Sequence, residues 1–180
     1  MRVQEQRKTT RMQRGFSILE VLIVAGIIVI VAAIAIPNLL RARVAANEAS
    51  AVQSLRAINS AQIGYLQVYP DMGTYACQLS YLGPPLGSTP VNSTAADLID
   101  IQLASGIKSG YSFYMNCTPP VGDGSTGYEV KSAPTGASIT DTTCGTDNGR
   151  CFYTNYHGSV YQMNGAGSSE GTAFSLSPIS

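Results

Sequence analysis

The chain has 180 residues, of which 44% are hydrophobic and 12% charged, and eleven basic residues balance eleven acidic ones. This length suits one domain of ordinary size and is too short for two comfortable ones. Five of the basic residues fall in the first fifteen positions, so the remainder holds six basic and ten acidic residues. Because this remainder is weakly acidic and has no basic run, the sequence does not favour nucleic acid as a partner.

An apolar run from Ile18 to Ile36 follows the basic leader, and Glu20 is its only charged residue. Nineteen residues at about 1.5 Å each span roughly 28 Å, close to the hydrocarbon thickness of a bilayer. The leader's charge predicts that the N-terminus stays in the cytoplasm and that the bulk of the chain lies across the membrane. A removed secretory signal is the alternative, but residues 37–40, Pro-Asn-Leu-Leu, provide no small-x-small cleavage site.

The helix is expected to continue beyond the run, because residues 39–69 contain no proline and a single glycine. Apolar residues at spacings of three, four and seven form one stripe there, and the opposite side is polar. Pro37 lies inside the helix and is expected to kink or loosen it just before that residue. The stripe comprises Val44, Ala51, Val52, Leu55, Ile58, Tyr65, Leu66 and Tyr69, and the polar side Arg43, Asn47, Ser50, Gln53, Ser54, Arg56 and Ser60.

Short elements are expected after the helix, separated by connections rich in glycine and proline. Residues 76–82 predict an ordered turn, and residues 94–105 predict a brief helix capped by Ser93 or Thr94 and followed by Gly106. Aromatic and β-branched residues between turn residues then predict four short antiparallel strands. These strands are residues 111–115, 128–131, 151–154 and 160–163.

The predicted fold class is α+β, with one long N-terminal helix packed on a small antiparallel sheet. Neither the helix stripe nor the sheet can bury its apolar face alone, so packing one on the other is the economical arrangement. Residues 156–159 predict a hairpin turn before the last strand. The chain divides into a leader, a membrane helix, its amphipathic continuation, a connecting region, a sheet and a flexible tail, with bounds 1–15, 16–40, 41–69, 70–110, 111–165 and 166–180.

All four cysteines lie beyond the apolar run, on the side predicted to be non-cytoplasmic, and they predict two disulfides. Three connectivities are possible. The short loop between Cys144 and Cys151 favours that pair, which leaves Cys77 with Cys117. A zinc site is the rival interpretation, but neither pair has C-x2-C spacing and His157 is the single histidine.

The sequence contains few residues from which an enzyme active site could be built. One histidine leaves almost nothing for a Ser-His-Asp or Cys-His site. The metalloprotease, hydrolase and phosphate-loop motifs are absent from the sequence, and the acidic residues between Asp71 and Glu129 are scattered rather than paired. We therefore expect a structural protein without catalytic residues, metal or cofactor; a membrane-anchored enzyme or binding module is the alternative.

The start of the apolar run carries the most specific pattern. A carboxylate near the middle of a bilayer costs roughly 2.5–3.5 kcal/mol, so Glu20 is expected to have a partner. A basic leader ending in Gly15, then Phe16, then Glu20, then an apolar helix with Pro37, resembles the class III signal of type IV pilins and type II secretion pseudopilins. Residues 36–70 also resemble the continuation of the first pilin helix.

This resemblance implies a role for each residue of the pattern. Gly15 matches the last leader residue, after which a membrane-embedded prepilin peptidase cuts, and Phe16 matches the new N-terminus, which the same enzyme methylates. Glu20 matches a glutamate that neutralises the N-terminal amine of an adjacent subunit. Their pairing stabilises the assembly and sets the axial register of neighbouring subunits. One departure is that Val29 stands where many pilins have a glycine, in the segment that can lose helicity before Pro37.

The resemblance also implies a function and partners. The subunit is expected to enter the inner membrane and then to form a homopolymer through its N-terminal helices, with an assembly platform protein and its ATPase acting on it. The leading expectation is a type IV pilus-like filament at the cell surface. The alternative is a pseudopilin of a type II secretion system, whose periplasmic filament drives protein export across the outer membrane.

Overall fold

A computed structural model describes residues 15–117, 127–136, 150–163 and 177–178 of the chain. Its helical elements are helix α1 (Ile18–Val68), a 3-10 turn (Pro70–Met72) and the short helices α2 (Leu79–Leu82) and α3 (Ile101–Ala104). Its strands are β1 (Ile107–Lys108), β2 (Tyr111–Cys117), β3 (Tyr128–Pro134), β4 (Cys151–Asn155), β5 (Val160–Met163) and β6 (Ser177–Pro178). The chain forms two compact units, which meet in sequence between Arg41 and Ala42.

The first unit contains α1 from its start to Arg41. All fifteen large hydrophobic side chains from Ile18 to Leu40 are exposed, by 51–87% of their surface. Among the described residues, α1 is the one helix long and apolar enough to cross a membrane. The backbone is helical on both sides of Pro37, so the loosening expected there is not seen. A proline removes one N–H donor, and here the neighbouring turns keep their helical form.

In the second unit, the rest of α1 packs on the sheet. Residues of the predicted stripe, namely Ala51, Leu55, Ile58 and Tyr65, are at most 2% exposed and join one core with apolar residues of the sheet. The sheet contributes alternate residues, as period two requires: Tyr111, Phe113, Met115, Tyr128, Val130, Phe152 and Val160. The predicted α+β fold is thereby confirmed.

Two residues of the helix pattern were misassigned. Val44, expected in the stripe, is 40% exposed, because it lies about two helical turns before the first core residue, Ala51. Ser54, expected on the polar side, is only 3% exposed. It lies next to Leu55 on the buried side of α1.

The six strands follow chain order across the sheet, and every neighbouring pair is antiparallel. The four predicted strands correspond to β2, β3, β4 and β5, and the predicted hairpin turn joins the last two. Strands β1 and β6 were not predicted, and β6 lies in the segment expected to be a flexible tail. Two residues are too few to display a period of two, so no sequence pattern predicts these strands.

The helix predicted over residues 94–105 is wrong in its first half, since α3 is much shorter. Asp97 has a φ of 54°, a left-handed conformation through which an α-helix does not continue. Its backbone N–H instead donates to the carbonyl of Gly83 at 2.9 Å, and that of Leu98 donates to Leu82 at 2.7 Å. Tertiary hydrogen bonds therefore replace the expected helical ones.

Asp100, not Ser93 or Thr94, caps α3. Its Oδ1 accepts the backbone N–H of Leu103 at 3.0 Å, and its Oδ2 accepts from Lys108 Nζ at 2.6 Å. Burial acts to raise the pKa of Asp100, but these hydrogen bonds outweigh burial and hold the pKa below its ordinary 3.8. The carboxylate form is therefore favoured by folding.

Buried polar residues fix α1 on the sheet. Asn59 Nδ2 donates to Thr154 Oγ1 at 2.8 Å and to the Gly158 carbonyl at 2.9 Å, while Asn59 Oδ1 accepts from Tyr128 Oη at 2.9 Å. Burial, and to a smaller extent the nearby Tyr75, raises the pKa of Tyr128, so its hydroxyl remains a donor at neutral pH. Since every bond needs one placement of the helix, this network specifies the register of α1 on the sheet.

An ion pair joins an earlier turn of α1 to the beginning of β4. The Glu48 carboxylate accepts the Arg150 backbone N–H at 3.0 Å and Arg150 Nε at 3.2 Å. The Arg150 carbonyl in turn accepts from Tyr111 Oη at 2.8 Å. The residue before Cys151 is thus held by the helix and by β2.

Truncating the polar network should cost stability. Asn59→Ala leaves the buried hydroxyls of Tyr128 and Thr154 without their Asn59 partner, so we expect a loss of about 2–3 kcal/mol in the free energy of unfolding. Urea denaturation of the full chain in detergent measures it. Ser60→Ala, at an exposed neighbouring position, is the control, and a loss below about 0.5 kcal/mol for Asn59→Ala would contradict the role given to the network.

Asp100 should make stability depend on pH in acid. Because its folded pKa is lowered, its contribution is present above the unfolded pKa and is lost as the pH falls through the folded pKa. The difference in melting temperature between wild type and Asp100→Asn should therefore shrink from about pH 6 to about pH 3. Asp71→Asn, at an exposed position, is the control. A difference for Asp100→Asn that stays constant over this range would refute the assignment.

Candidate processing and assembly site

The peptide bond between Gly15 and Phe16 lies just outside the helix. Residues 15–17 are not helical, α1 begins at Ile18, and the Val21 N–H donates to the Ser17 carbonyl at 3.3 Å. Phe16 is 83% exposed. An exposed bond in non-helical backbone is accessible to a peptidase. Residues 1–14 of the leader lie outside the described residues.

Gly15 is not required by the fold. A Cβ added to it would meet nothing within 4 Å, and its φ is not in the left-handed range. Within the described residues, therefore, neither packing nor backbone conformation explains a glycine at this position.

Glu20 lies in the first turn of α1 and is exposed. In this turn the unpaired backbone N–H groups give the helix end a partial positive charge, which favours a carboxylate. No cation of the described residues lies within 4.0 Å of it. The carboxylate therefore stands on the apolar surface of α1 with its capacity for an ion pair unused by the described residues.

The structure brings some of the expected site residues together and separates others. Gly15, Phe16 and Glu20 lie within six residues at the start of α1, whereas Pro37 lies roughly 26 Å further along the helix. The disulfide between Cys77 and Cys117 belongs to the second unit, with a Cα–Cα distance of 5.0 Å. It is the pair that the sequence left after assigning Cys144 to Cys151.

Cys151 and His157 belong to the second unit. Cys144 lies outside the described residues, and Cys151 is buried at the start of β4. His157 is exposed in the hairpin turn, its ring centroid 4.1 Å from that of Tyr156. No group of three or more His, Cys, Asp or Glu suited to a metal occurs in the part of the chain that the structure describes.

Sequence reasoning missed the importance of two amides on α1. Asn59 and Gln62 belonged to neither the predicted stripe nor its polar side, yet they are 7% and 0% exposed. Their positions could have revealed them. Residues three apart share one face of a helix, and Asn59 and Gln62 lie between Ile58 and Tyr65 of the stripe. A polar side chain on an apolar face predicts a buried hydrogen-bonded group.

Comparison with known proteins identifies the first unit. Residues 10–36 match the family description "Prokaryotic N-terminal methylation motif". No curated protein and no solved structure was found that matches the chain. The matched residues include the bond between Gly15 and Phe16, Glu20 and the exposed apolar turns of α1 up to Ile36. The chain therefore carries, over residues 10–36, the N-terminal signal of type IV pilins and pseudopilins.

Proposed function

We propose that the chain is a prepilin, cut after Gly15 and methylated at Phe16, whose mature form polymerises through the first part of α1 into a type IV pilus-like filament. One observation carries this proposal. The methylation motif covers residues 10–36, and the part of α1 within it buries none of its large apolar side chains against the described residues.

The exposed apolar surface explains why such a subunit would assemble. Burying one large aliphatic side chain is worth about 1.5–3 kcal/mol, and fifteen of them are exposed between Ile18 and Leu40. Lipid can cover them before assembly, and the helices of neighbouring subunits can cover them in a filament. A subunit with this surface is stable only in one of these two environments, so it has little tendency to leave the filament for water.

Glu20 would give the assembly its register. Cleavage after Gly15 creates a cationic amine on Phe16, and an amine and a carboxylate that share a low-dielectric environment offset each other's desolvation. The pair would form between the Phe16 amine of one subunit and Glu20 of the next, which fixes their axial stagger. Processing would require a prepilin peptidase, and assembly an inner-membrane platform protein with its ATPase.

The second unit suits exposure outside the cytoplasm. Its disulfide between Cys77 and Cys117 is of the kind that persists in oxidising compartments. We therefore place the first part of α1, up to Arg41, across the inner membrane with its N-terminus in the cytoplasm, and the unit that begins at Ala42 in the periplasm or on the filament surface. In this role the chain is a structural subunit and not an enzyme.

The mass of the protein in sheared surface filaments tests the proposal. We expect a chain that starts at Phe16 and carries one added methyl group and its disulfides, measured by intact-mass spectrometry. Gly15→Leu is the control: its uncut chain should remain in the membrane, because a bulky side chain blocks the peptidase while the fold has room for it. The processed mass in membranes but not in the sheared fraction would favour a pseudopilin, and a chain starting at Met1 would contradict both functions.

Removing the carboxylate should separate processing from assembly. We expect Glu20→Ala and Glu20→Gln to be cut after Gly15 as in wild type, but to yield roughly tenfold fewer filaments, as loss of about 1.4 kcal/mol per contact would cause. Filaments are counted by electron microscopy against the processed mass in the same cells. Glu20→Asp, which keeps the charge, is the matched control. Normal filament numbers for Glu20→Ala would remove the basis for charge pairing.

A further inference from the structure

We propose that Gln62 selects the pairing of Cys77 with Cys117 while the second unit folds, by holding the two segments that carry these cysteines together before the bond forms. The inference concerns folding of this chain and does not depend on its polymerisation. Four cysteines allow three connectivities, so contacts that favour one pairing reduce the yield of the other two.

The side chain of Gln62 contacts both cysteine-bearing segments. Its Nε2 donates to the Ala76 carbonyl at 2.8 Å and lies 3.2 Å from Met115 Sδ, and its Oε1 accepts the Ala76 N–H at 2.9 Å. Ala76 immediately precedes Cys77, and Met115 lies two residues before Cys117 on β2. One buried amide thus spans the two segments and uses both donors and its acceptor to do so.

A second contact joins the Cys77 segment to strand β3, next to Cys117. The rings of Tyr75 and Tyr128 meet edge to face with centroids 4.9 Å apart. Tyr128 lies directly opposite Cys117 in the ladder between β2 and β3. Tyr75 and Ala76, the two residues before Cys77, are therefore each fixed by non-covalent contacts to the end of the sheet where Cys117 lies.

These contacts place the cysteines at bridging distance. A disulfide needs a Cα–Cα separation of about 4.4–6.8 Å, and here it is 5.0 Å. Forty residues separate the two cysteines, so an unguided chain would bring them together rarely. Because Gln62 bonds both backbone groups of Ala76, it fixes the direction of the chain at Cys77 as a neighbouring strand would.

The covalent step needs only a small disulfide such as oxidised glutathione. The Cys77 thiolate attacks one glutathione sulfur, which forms a mixed disulfide and releases one glutathione thiolate. The Cys117 thiolate then attacks Cys77 Sγ, which closes the protein disulfide and releases the second glutathione thiolate. The two protons lost by the cysteines end on the two glutathione thiols. Gln62 takes no part in this chemistry; it positions the thiols.

Refolding of the full chain in detergent tests the proposal. Reduced, urea-unfolded Gln62→Leu is refolded with oxidised and reduced glutathione, and its bridges are mapped by mass spectrometry of non-reduced peptides. We expect the ratio of mispaired Cys77 to Cys77–Cys117 to rise about tenfold over wild type, as loss of two buried hydrogen bonds implies. Because connectivity is covalent, it is read even if the variant does not reach the native fold.

Two control variants separate selection from general instability. Gln53→Leu removes an exposed amide of the same helix and should leave the pairing as in wild type. Leu55→Ala removes a fully buried side chain seven residues earlier, so it destabilises the core without removing the Gln62 bonds. Unchanged pairing in Gln62→Leu, or equal mispairing in Leu55→Ala, would overturn the proposal.

Discussion

The second unit depends on the packing of one helical stripe against one sheet. Leu55, Ile58 and Tyr65 are almost fully buried, and their partners are alternate residues of the strands, so neither layer has a core without the other. Apolar packing alone would leave the helix free to slide or turn, because it has no direction. Asn59 and Gln62 remove this freedom, since their amides have partners at one helix position only. Apolar area provides stability here, and two amides provide uniqueness.

One helix thus presents two kinds of surface along its length. Up to Arg41 it is apolar all round and exposed, which is unfavourable in water and favourable among lipids or like helices. From Ala51 onward most of its apolar residues form a stripe that its own chain covers, although Ile63 and Val68 remain more than half exposed. The change follows from composition: Ile, Leu and Val dominate the first part, whereas Arg, Gln, Ser and Asn enter the second. The exposed part can therefore exchange one apolar environment for another while the second unit keeps its core.

Sequence reasoning was reliable where a pattern repeats and weak where a single contact decides. The helix to Val68, the four longer strands and the N-terminal signal rest on many residues each, and the structure or the family match agrees with them. The prediction of a helix over residues 94–105 was wrong in its first half, because tertiary hydrogen bonds of the Asp97 and Leu98 backbone outweigh helix propensity. Strand β1 was not predicted, because two residues are too few to show a period of two. The roles of Asn59 and Gln62 depend on partners that are distant in sequence: Thr154 lies 95 residues from Asn59, and Ala76 lies 14 residues from Gln62. No local pattern reveals such partners.

The strand order matters for how the second unit would fold under the export proposed above. Each strand after β1 pairs with the strand that precedes it in sequence, so the sheet would grow in the order in which its residues crossed the membrane. No strand must wait for a later one to be inserted between it and its neighbour, and nearby pairings of this kind favour rapid folding. The bond between Glu48 and Arg150, 102 residues apart, would be among the contacts that form late. Export and folding would then advance together, with the helix side of the unit emerging first as the surface on which the strands assemble.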